Sequence, residues 1–80
     1  MIRQIKNGEL HFDGCSTLEL AERYGTPLYV LSETDIVSRF SELRECFTDK
    51  YPDTRVAYAA KAFSTMAMYR LCQREGACID

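Results

Sequence analysis

The sequence predicts an α/β chain, and three observations carry that expectation. Short apolar runs rich in β-formers alternate with segments whose apolar residues recur every three or four positions. Polar capping signals stand in front of two of the periodic segments. From Val56 onward the order reads strand, helix, strand with short links, the pattern of a βαβ unit, which sets parallel strands side by side and requires helices to cover them.

The first expected element is Leu10-His11-Phe12, an apolar alternation that ends at Asp13-Gly14, a turn signal. Ser16-Thr17-Leu18-Glu19 then has the spacing of a capping box, in which hydroxyl and carboxylate each satisfy an orphan backbone N–H. The helix it starts should run through Leu20, Ala21 and Tyr24 and stop at Gly25, with Thr26-Pro27 beyond it. Leu28-Tyr29-Val30-Leu31 reads as a second strand between Pro27 and Ser32.

Ser32-Glu33-Thr34-Asp35 repeats the capping signal. Behind it, Ile36, Phe40, Leu43 and Phe47 fall on one face of a helix of about four turns, a core stripe that needs something to cover it. Tyr51-Pro52-Asp53-Thr54 ends that helix. Val56-Ala57-Tyr58-Ala59-Ala60 should be a strand, Ser64 should cap a helix carrying Met68, Leu71 and Cys72, and Gly76 should close it. Cys78-Ile79-Asp80 begins another strand. A lone βαβ unit is not a fold, so the expectation is a fragment of a longer protein, cut inside a parallel sheet or barrel.

At 80 residues the chain amounts to one small domain, and a domain of this size buries only roughly 60% of the surface of its unfolded chain. Stapling groups are hard to find. The four cysteines form no C-x-x-C pair, and the single histidine, His11, has no ligand-spaced neighbour. No metal site is expected. The N-terminal residues lack the apolar run of a signal peptide, and no stretch approaches the about 18 apolar residues of a membrane span. A cytoplasmic location with reduced cysteines is the expectation. The net charge of −2, without a basic stripe, gives no support for nucleic-acid binding.

Lys61 is the candidate for chemistry. It ends an apolar strand and is followed by Ala62 and Phe63, so its ammonium should have few aqueous exits, and desolvation favours the neutral amine that attacks carbonyl carbon. Ala57, Ala59 and Lys61 should share one strand face, over which a flat ring could lie. Against this stands the plain reading in which Lys61 finishes a strand and reaches into water. Asp80 has the same ambiguity: a site acid near a strand end, or a solvated carboxylate. His11 reads as a packed or surface residue, Cys72 as a small hydrophobe beside Met68, and Cys78 shows no sign of thiolate activation.

Val56-Ala57-Tyr58-Ala59-Ala60-Lys61-Ala62-Phe63-Ser64 resembles the Y-A-x-K-A segment of the fold-type III pyridoxal-phosphate decarboxylases. There the lysine holds the cofactor as a Schiff base. Gly25-Thr26-Pro27-Leu28-Tyr29-Val30 resembles the segment that precedes it in the diaminopimelate decarboxylase group, and Gly76-Ala77-Cys78-Ile79-Asp80 is similar to the family's G-A-x-x-D. Phe63 stands where many relatives have Asn.

The resemblance implies a (β/α)8 TIM-type barrel with a second, β-sandwich domain. Residues 1–32 would join the second domain and residues 33–80 would open the barrel. It implies pyridoxal 5'-phosphate as cofactor, held at Lys61 with Ala59 and Asp80 nearby. The implied reaction on a small amino-acid substrate is decarboxylation of meso-diaminopimelate to L-lysine and carbon dioxide, in a homodimer. Related ornithine, arginine or carboxynorspermidine decarboxylases are the alternative, as is a non-catalytic homologue that binds a partner decarboxylase. A Schiff-base aldolase barrel is disfavoured by the Gly25 to Val30 segment. The 80 residues alone should be inactive and should self-associate.

Overall fold

The computed structural model describes residues 2–80. The chain divides into two compact units, Met1–Ile36 and Val37–Asp80.

The first unit is built on a three-stranded antiparallel sheet, β1 (Arg3–Lys6), β2 (Glu9–Phe12) and β3 (Cys15–Ser16), in that spatial order. Pairing runs from Arg3↔Phe12 to Lys6↔Glu9 and from His11↔Ser16 to Phe12↔Cys15. Two-residue turns make both hairpins. Asn7 and Gly8 have φ of 54° and 77°, and Asp13 and Gly14 have 49° and 82°, the left-handed pairs whose twist matches the flanking strands and which Asn-Gly and Asp-Gly adopt most readily. β1 was not expected from the apolar pattern, because its four residues are all exposed and alternate no core face.

Helix α1 (Thr17–Tyr24) packs against β2 and β3. Ser16 precedes it, but the expected capping box does not form: no side chain caps the first turn. The Ser16 hydroxyl instead donates to Glu9 Oε2 at 3.0 Å, and Thr17 Oγ1 donates to the Leu10 carbonyl at 2.9 Å. A hydroxyl offered a carboxylate across the sheet makes a charge-assisted bond, which is stronger than a neutral bond to a helix N–H. Gly25 ends α1, its N–H donating to Ala21 O at 2.8 Å.

Leu28–Leu31 is not a strand. The run is unpaired, with Tyr29 93% exposed. Its β-forming composition is real, but among the described residues no strand lies beside it, and a β-propensity is expressed only through neighbours. Ser32 closes the unit. Its hydroxyl accepts from Asp35 N at 3.0 Å and donates to Asp13 Oδ2 at 2.7 Å, so one buried side chain caps a helix and anchors the Asp13-Gly14 turn. A cap of this kind contributes about 0.5–2 kcal/mol.

That cap starts α2 (Glu33–Leu43), which continues into a widened π-type turn over Arg44–Thr48, marked by Asp49 N donating to Arg44 O at 2.8 Å. The expected length of about four turns is present, but the expected stripe is not continuous. Phe40 is buried, whereas Leu43 and Phe47 are exposed. A π turn carries more residues per revolution, which shifts Phe47 off the line of Phe40, while Leu43, still in the regular helix, lies at the exposed edge of the stripe.

In the second unit Phe40, Met68 and Cys72 form the buried apolar set. Helix α3 (Met66–Glu75) supplies two of them. It is capped by Thr65, whose Oγ1 accepts from Met68 N at 3.2 Å, in place of the expected Ser64. Gly76, left-handed at φ 76°, ends α3 as expected. Arg44 clamps that end: Nη1 donates to the Glu75 carbonyl and Nη2 to Glu75 Oε1, both at 3.0 Å. An orphan carbonyl and a carboxylate at a helix C-terminus are thereby met by one guanidinium. Flanking α3, β4 (Ala57–Tyr58) and β5 (Cys78–Ile79) pair in parallel. The βαβ unit expected from the sequence is present.

Candidate active site

The site is assembled at one end of the β4–β5 pair. Cys78 N donates to Val56 O at 2.8 Å, Asp80 N to Tyr58 O at 2.9 Å, and Ala60 N to Asp80 O at 3.1 Å. The last two bonds set Ala59 opposite Asp80, continuing the register Ala57↔Cys78 and Tyr58↔Ile79. Alternation then places Ala57, Ala59, Cys78 and Asp80 on one face, and all four are exposed. Val56, Tyr58 and Ala60 take the other face and are half-buried. The open face is thus paved by small side chains with a carboxylate at its carboxyl-terminal end.

Lys61 does not extend the strand. It lies in a single 3-10 turn over Ala60–Ala62, closed by Ala62 N donating to Ala59 O at 3.1 Å. Two expectations are corrected by this. Ala57 and Ala59 share a face, but Lys61 has left the strand geometry that would add it to them. Nor is its ammonium shielded: Lys61 is exposed, because the chain turns outward here before α3 begins at Met66. Ala59, Lys61 and Asp80 nevertheless lie together at the same end of the parallel pair.

One residue of this end was missed in the sequence. Tyr58 sends its hydroxyl past the turn to donate to the Phe63 carbonyl at 2.7 Å. The signal available was a phenol inside an otherwise wholly apolar run, since a partly buried Tyr hydroxyl ordinarily finds a partner. Beyond Phe63, Ser64 Oγ and the Tyr69 hydroxyl are hydrogen-bonded to each other.

The other candidates do not join this end. His11 is half-buried on β2 with Nδ1 3.2 Å from Glu9 O. Cys72 is fully buried, in keeping with its reading as a small hydrophobe, and Cys15, Cys46 and Cys78 are free and exposed.

Lys61 thus lies just past the carboxyl end of a parallel strand, at the same end as Asp80 and the open face of small side chains, and a primary amine is a group that can attack carbonyl carbon. Comparison with known proteins narrows the class. Over nearly its whole length the chain is similar to the N-terminal part of diaminopimelate decarboxylases. It is 42% identical to the diaminopimelate decarboxylase of Bacillus subtilis across 98% of this chain and 18% of that protein. Against the Synechocystis enzyme of the same name it is 41% identical, covering 94% of this chain and 16% of the relative. The crystal structure of the M. jannaschii diaminopimelate decarboxylase in complex with L-lysine superposes with a TM-score of 0.87 at 39% identity, over 98% of this chain and 19% of that one. The chain therefore spans less than a fifth of the length of the curated relatives just named. No family model matches it.

Proposed function

We propose that the chain is the N-terminal part of a pyridoxal-phosphate-dependent diaminopimelate decarboxylase, with Lys61 as the residue that binds the cofactor. The observation that carries this reading is the 42% identity over 98% of the chain to an enzyme of that name. Meso-diaminopimelate is favoured over ornithine or arginine because the relatives bear its name, and because a solved relative holds L-lysine, the product of that reaction.

The residues present fit such a cofactor. An exposed primary amine is the group that joins an aldehyde, and the exposed Ala57 and Ala59 leave room for a planar ring where larger side chains would fill it. Lys61 holds the cofactor, Ala59 offers the surface beneath it, and Asp80 brings a negative charge to the same end. When bound, pyridoxal phosphate supplies an electron sink for the pair released as the carboxyl group leaves. Lys61, on a flexible four-carbon stem, would be free to move aside once the substrate amine takes its place on the cofactor and would hold the cofactor again when product departs. In this reading residues 33–80 open a TIM-type barrel, residues 1–32 belong with a second domain, and the whole protein is a cytoplasmic homodimer.

Borohydride reduction of the full-length protein in the presence of pyridoxal phosphate, followed by peptide mapping, is expected to place a phosphopyridoxyl group on Lys61. Label on Lys6 or Lys50 in its stead would sink the assignment.

A further inference from the structure

We propose that Tyr58 is a positioning residue for Lys61: its hydroxyl holds the turn that presents the amine. The inference rests on the proposed role of Lys61 and goes beyond it, because Tyr58 touches neither cofactor nor substrate in that reading.

The turn has an anchor on each side of Lys61. On the entry side Ala60 N donates to Asp80 O at 3.1 Å, which ties the residue before Lys61 to the neighbouring strand. On the exit side the Tyr58 hydroxyl donates to the Phe63 carbonyl at 2.7 Å. Between them a short 3-10 turn, with Ala62 N donating to Ala59 O at 3.1 Å, holds the backbone. A single 3-10 turn has poorer hydrogen-bond geometry than an α-turn and does not persist by itself. The Tyr58 bond closes a ring of residues 58–63 by a side chain, so the Cα of Lys61 is fixed from both directions.

The face on which Tyr58 sits makes the device workable. Tyr58 is half-buried, on the opposite face of the strand from Ala57 and Ala59. Its side chain therefore stands off the open face, and its hydroxyl reaches the Phe63 carbonyl in a solvent-exposed bond without occupying that face. A lysine on a four-carbon stem has many rotamers. Fixing its Cα removes the backbone share of that freedom, and a catalytic group displaced by about 1 Å loses about a hundredfold in rate.

Tyr58→Phe removes the hydroxyl and keeps the ring, so the variant retains the packing of the strand. A single hydrogen bond contributes a factor of about two to ten. In the full-length protein Tyr58→Phe is expected to release pyridoxal phosphate about two to ten times faster than wild type. It is also expected to lower kcat by a similar factor with KM little changed. The visible circular dichroism of the bound cofactor should change in shape or amplitude, which a merely structural loss, read as a lower melting temperature alone, would not produce. The borohydride label separates the two claims. Wild type without label on Lys61 overturns the proposed function, and this inference with it. Wild type with the label, and Tyr58→Phe equal to it in cofactor release, kcat and visible circular dichroism, overturns the inference alone.

Discussion

Replacing Lys61 with alanine is expected to lower carbon dioxide release from meso-diaminopimelate by at least about a thousandfold in the full-length protein, the scale on which loss of a covalent catalytic group is felt. Lys61→Arg should lose nearly as much, since a guanidinium stays protonated and cannot join an aldehyde. The structure makes the test clean. Lys61 is exposed, lies on a surface turn, and has no hydrogen-bond or ion-pair partner among the described residues. Surface substitutions of this kind stay within about 0.5 kcal/mol in stability, so the melting temperature of the cofactor-free protein should hardly move while activity disappears. Turnover preserved in Lys61→Ala would contradict the role assigned to it, and a large drop in the melting temperature of the cofactor-free protein would contradict the exposed placement.

Phe40→Ala is expected to produce the largest loss of stability, about 3–5 kcal/mol, the usual cost of emptying a buried aromatic site. The second unit has few residues to absorb such a loss. Only Phe40, Met68 and Cys72 are buried among its apolar side chains, and Phe40 is the largest of the three. Phe47→Ala is the natural comparison: on the same run of helix but half exposed, it should cost much less. Chemical denaturation of the two variants reads the difference, and equal losses would show that the π turn has not separated Phe47 from the core line.

Much of the local structure was legible because its causes are local. Ser32 caps α2 through Asp35 N, three residues away, and Gly76 ends α3 by its own left-handed backbone. Ser16 failed as a cap because its hydroxyl found Glu9, seven residues back on another strand, a competitor that spacing rules do not contain. Leu28–Leu31 failed as a strand for a related reason: the composition is that of a strand, but pairing requires a neighbour. β1 was readable after all, from Asn7-Gly8, the hairpin signal that outweighs an absent apolar alternation. At the candidate site, the sequence offered Lys61 as a candidate and the resemblance put Asp80 near it, and the structure sets the two at the same end of the parallel pair. The 3-10 turn that carries it could not, since it depends on a phenol reaching five residues ahead to Phe63.

The two sheets differ in how far apart along the chain their partners lie, and that bears on the order in which the protein takes shape as it is synthesised. The widest pair in the antiparallel sheet joins Arg3 to Phe12, whereas the parallel pair joins Ala57 to Cys78 with all of α3 between them. Hairpins close in about 1–10 μs, far faster than a ribosome adds residues at about 5–20 per second. The β1–β2–β3 meander can therefore be complete before Ala57 has been joined to the chain. The Lys61 turn must wait for Asp80, whose carbonyl holds Ala60. The end that carries Lys61 is thus among the last parts of these 80 residues to settle, and hydrogen exchange on arrested nascent chains should find the amides of β2 protected while that of Ala60 is still open.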